Sequence, residues 1–361
     1  WNAASVFLVI ALCMTAVILF ILTLKSSQQA HDLPPETFSG GMRSGLRYIR
    51  HSSVLFNALK QVFVFTSCAS ALWALMPLVA KEELDMDAGG YGLLMAFMGG
   101  GAGVVAALNL TKLYRRFTLR TLIAAGAIAF AAATLAAALT HNRYVVCAML
   151  IFAGMGWMAV NATISTVVQT YAANWVRARV ASVYLLMLMG AMALGGALWG
   201  ALAEYIGLNN ALIISAATIV SGLLITRNGT IELGNEADFA EAQQTDKLVL
   251  ARDVSHSDGP VSVEISYRVN DAERDIFVRT AYAVGQSRRR NGAQNWRLYR
   301  DLSEKNLYVE RFIVESWLEY LRQRARVTKA DESRENSLQR FRCDTLATRR
   351  YIYQAPSVND Q

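Results

Sequence analysis

Residues 143–179 read RYVVCAMLIFAGMGWMAVNATISTVVQTYAANWVRAR, with no charged side chain between Arg143 and Arg177. Crossing a bilayer core about 30 Å thick takes roughly 20 apolar residues of helix, and 144–171 exceeds that length. In lipid each backbone amide must be satisfied within its own segment, so the run has to be helical. Six further stretches repeat the pattern on either side: 3–24, 57–80, 91–110, 119–140, 180–203 and 210–226. None carries a charge at its middle, and each boundary falls at a charged or Pro/Gly/Asn-rich break.

The composition divides the same way. Over 361 residues the chain is 54% hydrophobic and 17% charged, against about 25% charged for an ordinary soluble domain. Residues 1–227 hold 14 Lys/Arg and 7 Asp/Glu, whereas 228–361 hold 21 of each. A single water-soluble enzyme is excluded. Cys13, Cys68, Cys147 and Cys343 show no paired spacing, so neither a disulfide framework nor a metal site is expected.

Basic residues mark the cytoplasmic ends of membrane helices. Lys25, Arg43, Arg47, Arg50 and Lys60 follow the first run, whereas the Lys81–Gly90 loop sets one Lys against Glu82, Glu83, Asp85 and Asp87. Lys112, Arg115, Arg116 and Arg120 come next, then Arg143 alone, then Arg177 and Arg179, then Glu204, then Arg227. The alternation has no exception. Trp1 is therefore expected outside and the charged tail inside. In the long 26–56 loop, Met42, Leu46 and Ile49 recur at helical spacing beside Arg43, Arg47 and Arg50. That pattern reads either as a basic amphipathic helix on the inner leaflet or as a solvated linker.

One isolated span, a long inner loop and six closely connected spans is the expected plan for the last seven helices of a transporter built as six plus six. The residues support this. Gln169-Thr-Tyr-Ala-Ala-Asn-Trp175-Val-Arg177-Ala-Arg179 resembles the Q-x-x-x-P-D-W-V-R-G-R signature of major facilitator superfamily exporters of the enterobactin-exporter and secretion-effector branch, with Ala173, Asn174 and Ala178 replacing its Pro, Asp and Gly. Gly195-Gly196 through Gly200 to Glu204 is similar to the same branch. Thr111–Arg120 occupies the place of the superfamily's G-x-x-x-D-R-x-G-R-R loop, keeping Arg115, Arg116 and Arg120 but losing the Asp and glycines that its gating role uses.

Gly196 and Gly200 form a small-xxx-small pair that admits close helix approach; Gly99, Gly100, Gly101 and Gly103 offer the same, or a hinge. Span five places Asn161, Ser165 and Gln169 on one face, and span two has Thr66, Ser70 and Trp73 on another, near Gln61. Intramembrane polar groups face the bundle interior or a water-filled cavity, or bond back to their own helix carbonyls. The resemblance places spans two and five against the central cavity, making these seven residues the substrate-site candidates. No carboxylate lies mid-span, so a proton-coupling acid is expected in five helices preceding this sequence.

Beyond a polar linker at 228–260, which has room for one short strand, Val261–Val269 alternates as a half-buried strand. Asn270 and Glu273 open a helix over roughly 271–289. Asn291-Gly292 turns into two strands, Ala293–Asp301 and Leu307–Val314. Ser316-Trp-Leu-Glu319 and Thr328-Lys-Ala-Asp331 each start a helix, and Ala347–Gln354 reads as a last strand. The order β-α-β-β-α-β predicts a ferredoxin-like sandwich. Through Arg288-Arg289-Arg290-Asn-Gly292-Ala293, Trp296, Glu310, Ser316–Glu319 and Arg326-Val327-Thr328 the tail is similar to the soluble tail of the same exporter branch, and the domain resembles dimeric α+β barrels of the antibiotic-biosynthesis monooxygenase type. Haem binding there uses an axial His, and His31, His51, His141 and His256 all precede the domain. The Arg288–Arg290 run reads as a solvated face, with anionic lipid or a protein partner as the alternative.

The expectation is thus an all-α polytopic bundle of seven spans followed by a small α+β ferredoxin-like cytoplasmic domain. Its parts are a single span (1–25), a central loop (26–56), a six-helix half (57–227), a linker (228–260) and the tail (261–361). The resemblance implies a secondary active exporter of a siderophore-like or drug-like molecule in a bacterial inner membrane, with the bilayer and a homodimer through the tail as partners. No cofactor, metal or nucleic acid is expected. The rivals are a permease with another substrate, a membrane-anchored oxygenase, and a seven-helix photoreceptor, which would need a Schiff-base lysine that 210–226 lacks.

Overall fold

Helix starts follow short polar side chains that accept backbone N–H groups otherwise left without partners. Thr118 Oγ1 accepts from the Thr121 N–H (3.2 Å) and Asn142 Oδ1 from the Tyr144 N–H (3.0 Å). The computed structural model describes residues 3–23, 33–107, 110–240, 242, 253–342 and 348–353. Trp1, Lys25, His31, Cys343 and the two ends of the expected last strand lie outside them.

Two compact units emerge, 1–36 and 37–361. The first contains α1 (Ala3–Thr23), an apolar helix of 21 residues. The second contains six helical segments long and apolar enough to cross a membrane: α3 (Ser53–Leu78) with its extension to Glu83, α4 (Ala88–Ala107), α6 (Leu119–Leu139), α7 (Arg143–Tyr171), α8 (Arg177–Ile206) and α9 (Leu208–Thr226). The described residues therefore give six spans where the sequence suggests seven. Pro77 removes one N–H from the α3 ladder, and just beyond it the helix widens into a π-helical turn, Val79–Glu83. Two shorter helices flank spans: α2 (Phe38–Arg50) precedes α3, and α5 (Leu110–Arg116) occupies most of what the sequence suggests is a loop.

Small residues set the closest approaches between spans, as packing in lipid requires, but at different positions from those expected. A Cβ at Gly101 of α4 would overlap the Ile151 carbonyl of α7, and one at Gly154 would overlap the Met98 carbonyl. Gly126 and Gly156 bring α6 and α7 together in the same way. On α8 the tight point is Gly195, where a Cβ would meet the Ser67 carbonyl oxygen of α3 at 2.5 Å. Gly196 makes only an ordinary 3.6 Å approach to Ala74, and Gly200, Gly99, Gly100 and Gly103 have nothing within 4 Å. Close packing at Gly196 and Gly200 is thereby corrected to Gly195, whose Cα faces α3.

After the short α10 (Glu236–Phe239), the tail holds β1 (Val261–Arg268), α11 (Arg274–Asn291), β2 (Gln294–Arg300), β3 (Leu307–Val314), α12 (Trp317–Ala325), α13 (Lys329–Gln339) and β4 (Arg349–Ile352). The four strands form one antiparallel sheet in the order β2-β3-β1-β4. Val261, Val263, Ile265 and Tyr267 turn inward from β1 onto Phe277, Ala281 and Val284 of α11, forming a core separate from that of the spans. Ser316 caps α12 as expected, while Thr328 and Asp331 complete a reciprocal capping box on α13.

One expectation about basic residues is overturned. The Arg288–Arg290 run is not a solvated face. Arg290 is buried against the Asp331 carboxylate (2.6 Å), and Arg288 pairs with Glu335 (2.9 Å) and Glu310 (3.5 Å). Burial pushes the Asp331 carboxyl up, but the Arg290 guanidinium and hydrogen bonds from Ser287 and Thr328 outweigh this and hold it below the usual range. The amphipathic helix expected in the 26–56 loop is α2, and it also packs on the tail. Its Met42 and Leu46 are exposed, but Tyr48 and Ile49 are buried, Arg47 reaches Glu319 of α12 (3.2 Å), and Arg43 faces Glu315 (3.6 Å).

Candidate functional site

The sequence candidates within the spans separate into four groups. Gln61 is buried beside Phe65, Ile123, Ile219 and Thr226, where α3, α6 and α9 leave a hollow of about 10 Å³, close to the minimum for a single water. Ser70 lies beneath Gly195 and donates back to the Ser67 carbonyl (2.8 Å), the own-helix alternative. Gln169 is exposed at the end of α7 and donates to Ser165 Oγ (2.9 Å).

Thr66, Trp73 and Asn161 behave differently. Trp157 of α7 packs edge-on against Trp73 (5.4 Å between ring centroids) and also touches Phe65 of α3 and Phe130 of α6. One turn along α7, Asn161 donates through Nδ2 to the Trp157 carbonyl (3.0 Å), and the Tyr184 hydroxyl of α8 donates to the Asn161 carbonyl (3.3 Å). The amide is thus half satisfied by its own helix. Its Oδ1 has no partner among the described residues, and neither do Thr66 Oγ1 and Trp73 Nε1, all three buried. An unmet buried donor or acceptor costs about 1–3 kcal/mol. Three unmet polar atoms therefore lie on α3 and α7, one of them on Trp73, whose ring packs against Trp157. Trp157 and Tyr184 escaped the sequence reading; Trp157 extends the Asn161–Ser165–Gln169 face by one turn toward the N-terminus.

The residues of the basic-loop motifs gather elsewhere, at the ends of the spans nearest the tail. Arg115 and Arg116 are exposed, with Arg116 near the Phe117 ring, and Arg120 donates to the Gly229 carbonyl just past α9 (3.0 Å). Arg177 Nε lies 3.5 Å from the Ala172 carbonyl. The Arg179 side chain fills the space beneath Gly41 and Gly45 of α2, where a Cβ at Gly45 would come within 3.1 Å of it. Trp175 packs edge-on against Tyr48 of α2 (5.6 Å) and lies under the Arg326 guanidinium of the tail (4.6 Å). The Tyr48 hydroxyl accepts from the Ala173 N–H (3.3 Å), and its ring carries Arg290 (5.1 Å). Burial raises the Tyr48 pKa, keeping the phenol neutral. The loop 172–176, α2 and the tail thus form one packed junction.

Among the described residues no cluster of His, Cys, Asp or Glu could hold a metal. The profile of the transmembrane secretion effector family matches residues 1–355. No curated protein matches the chain.

Proposed function

Because the chain belongs to the transmembrane secretion effector family, a family of transporters and not of enzymes, we propose that it exports a small organic molecule by alternating access, rocking the six-span half around a site on α3 and α7. A siderophore-like or drug-like substrate suits a site that combines stacked aromatic rings with unmet hydrogen-bonding groups. The observation that carries this reading is the trio Thr66 Oγ1, Trp73 Nε1 and Asn161 Oδ1, each buried among the spans without a partner.

In this reading α1 is the last helix of a preceding half, and the tail lies on the cytoplasmic side of a bacterial inner membrane, an orientation that the alternation of basic loops supports. Strand order β2-β3-β1-β4, with α11 and then α12–α13 as the crossovers, supports a ferredoxin-like tail. The sheet face bearing Ser262, Glu264, Arg311 and Ile313 is the surface through which two copies would pair. The membrane-anchored oxygenase is set aside with the family assignment.

Cells expressing the complete reading frame test the proposal. Thr66→Val keeps the shape of the side chain and removes the hydroxyl, while Asn161→Leu removes the amide. Both are expected to raise retention of exported aromatic-polar compounds several-fold, with the T66V melting temperature unchanged or higher. Efflux at wild-type levels in both variants, across a broad substrate panel, would sink the assignment of this site.

A further inference from the structure

Where the inner ends of the spans meet the tail, a polar cavity of about 230 Å³ opens between α3, α7, α11 and α13. That volume is far larger than a single water needs. His51, Ser52 and Ser53 line it from the bundle, and Ser287, Arg290 and Arg334 from the tail. We propose that this cavity binds a phosphoryl anion, held by Arg334 and Arg290 on one side and by the open start of α3 on the other.

Four observations carry the assignment. First, α3 begins without a side-chain cap: Ser52 stands at its N-cap position but makes no capping hydrogen bond. The first N–H groups of a helix lack acceptors within it and favour anions. Second, Ser52 (4% exposed) and Arg290 (7% exposed) both form part of the wall, yet the Ser52 hydroxyl and Arg290 Nε have no hydrogen-bond partner among the described residues. Buried donors without acceptors are uncommon, and a phosphoryl oxygen supplies what both lack. Third, the one buried carboxylate nearby is already committed. Asp331 accepts from Ser287 Oγ (2.7 Å), from Arg290 Nη2 on both oxygens (2.6 and 2.7 Å) and from Asn291 Nδ2 (3.4 Å). Arg334 is left with only a 3.6 Å approach to Asp331 and a 3.5 Å contact with Ser287. Fourth, the field is positive: burial first, and then Arg289, Arg50 and Arg47, hold the His51 pKa below its ordinary value. Arginine pairs with phosphoryl oxygens through paired N–H groups.

The phosphoryl group could arrive on a lipid headgroup, since the cavity lies where α3 and α7 leave the membrane, or on a soluble molecule. The full chain, purified in neutral detergent, separates these. Inorganic phosphate is titrated in one arm. In the other, mixed micelles of phosphatidylglycerol are compared with phosphatidylcholine, and binding is read by melting temperature and by native mass spectrometry. Saturable stabilisation by phosphatidylglycerol alone assigns a lipid headgroup; stabilisation by inorganic phosphate assigns a soluble ligand. Arg334→Gln, on a half-exposed side chain, and Ser52→Ala are each expected to weaken the effective ligand about tenfold, the size of one charge-assisted hydrogen bond. Arg300→Gln, on an exposed arginine outside the cavity, is expected to leave binding unchanged. Absence of binding in both arms, or R334Q and S52A variants that bind like the parent chain while melting normally, would overturn the proposal.

Discussion

Asp331 is fully buried, and it stays charged because every lone pair finds a donor. Breaking such a pair by removing one partner costs about 3–5 kcal/mol, since the remaining charge is left buried and alone. Asp331→Asn is therefore expected to lower the stability of the tail by about that amount, as measured by denaturant unfolding followed through its tryptophans. The same geometry sets a pH dependence. A carboxyl held below its ordinary pKa in the folded state contributes stability at every pH above the ordinary aspartate range and loses it as pH falls through the folded-state value. The wild-type tail should weaken on acidification across and below that range, and the asparagine variant should lose this part of the slope. A tail equally stable at pH 5 and at strongly acid pH would contradict the assignment. At this scale the sequence was informative about residue types and poor on their fates. Arg288-Arg289-Arg290 reads as a charged surface run, yet Arg290 is buried, because its partner Asp331 lies 41 positions away and no local pattern links them.

Helix packing makes a sharper contrast between neighbouring glycines. Gly195 meets the Ser67 backbone of α3, whereas Gly200, one turn further along α8, faces open space. Gly195→Ala is expected to destabilise the bundle by about 1–3 kcal/mol through overpacking, visible as a lower melting temperature in detergent. Gly200→Ala should be neutral or slightly stabilising, since alanine suits a helix interior better than glycine. Equal behaviour of the two variants would refute the packing of α3 on α8. Element positions were largely legible beforehand. Apolar run length fixes where a membrane helix must begin and end, so spans two to seven fall within a few residues of α3, α4, α6, α7, α8 and α9. Alternation and cap residues did the same for β1, β3, α12 and α13. Which glycine of Gly195-Gly196 touches a neighbour depends on helix rotation, and a stretch that is apolar all round carries no signal for that.

For the whole molecule, the long-range contacts around α2 matter most. Glu319 accepts from Arg47 Nη2 (3.2 Å) and from Arg326 Nη1 (2.6 Å), joining residues 272 positions apart. Glu319→Gln removes the carboxylate charge that Arg47 and Arg326 share. It is expected to loosen α2 and speed tryptic cleavage at Arg43, Arg47 and Arg50 at least several-fold, with the spans intact. Cleavage no faster than in the parent chain would show that α2 is held by its Tyr48 and Gly45 contacts alone. Nothing in the sequence foretold this docking. Periodicity identifies an amphipathic helix within 26–56, on Met42, Leu46 and Ile49, but which surface it meets is decided by acidic groups on a distant helix.

Tyr48 touches both the turn leading into α8 and a guanidinium of the tail. A swing of the inner ends of α7 and α8 cannot, then, leave the globular appendage behind. In the transport cycle proposed above, the appendage would travel with those helix ends like an outrigger on a short pivot, and a fluorescent or spin label on β4 would register each stroke.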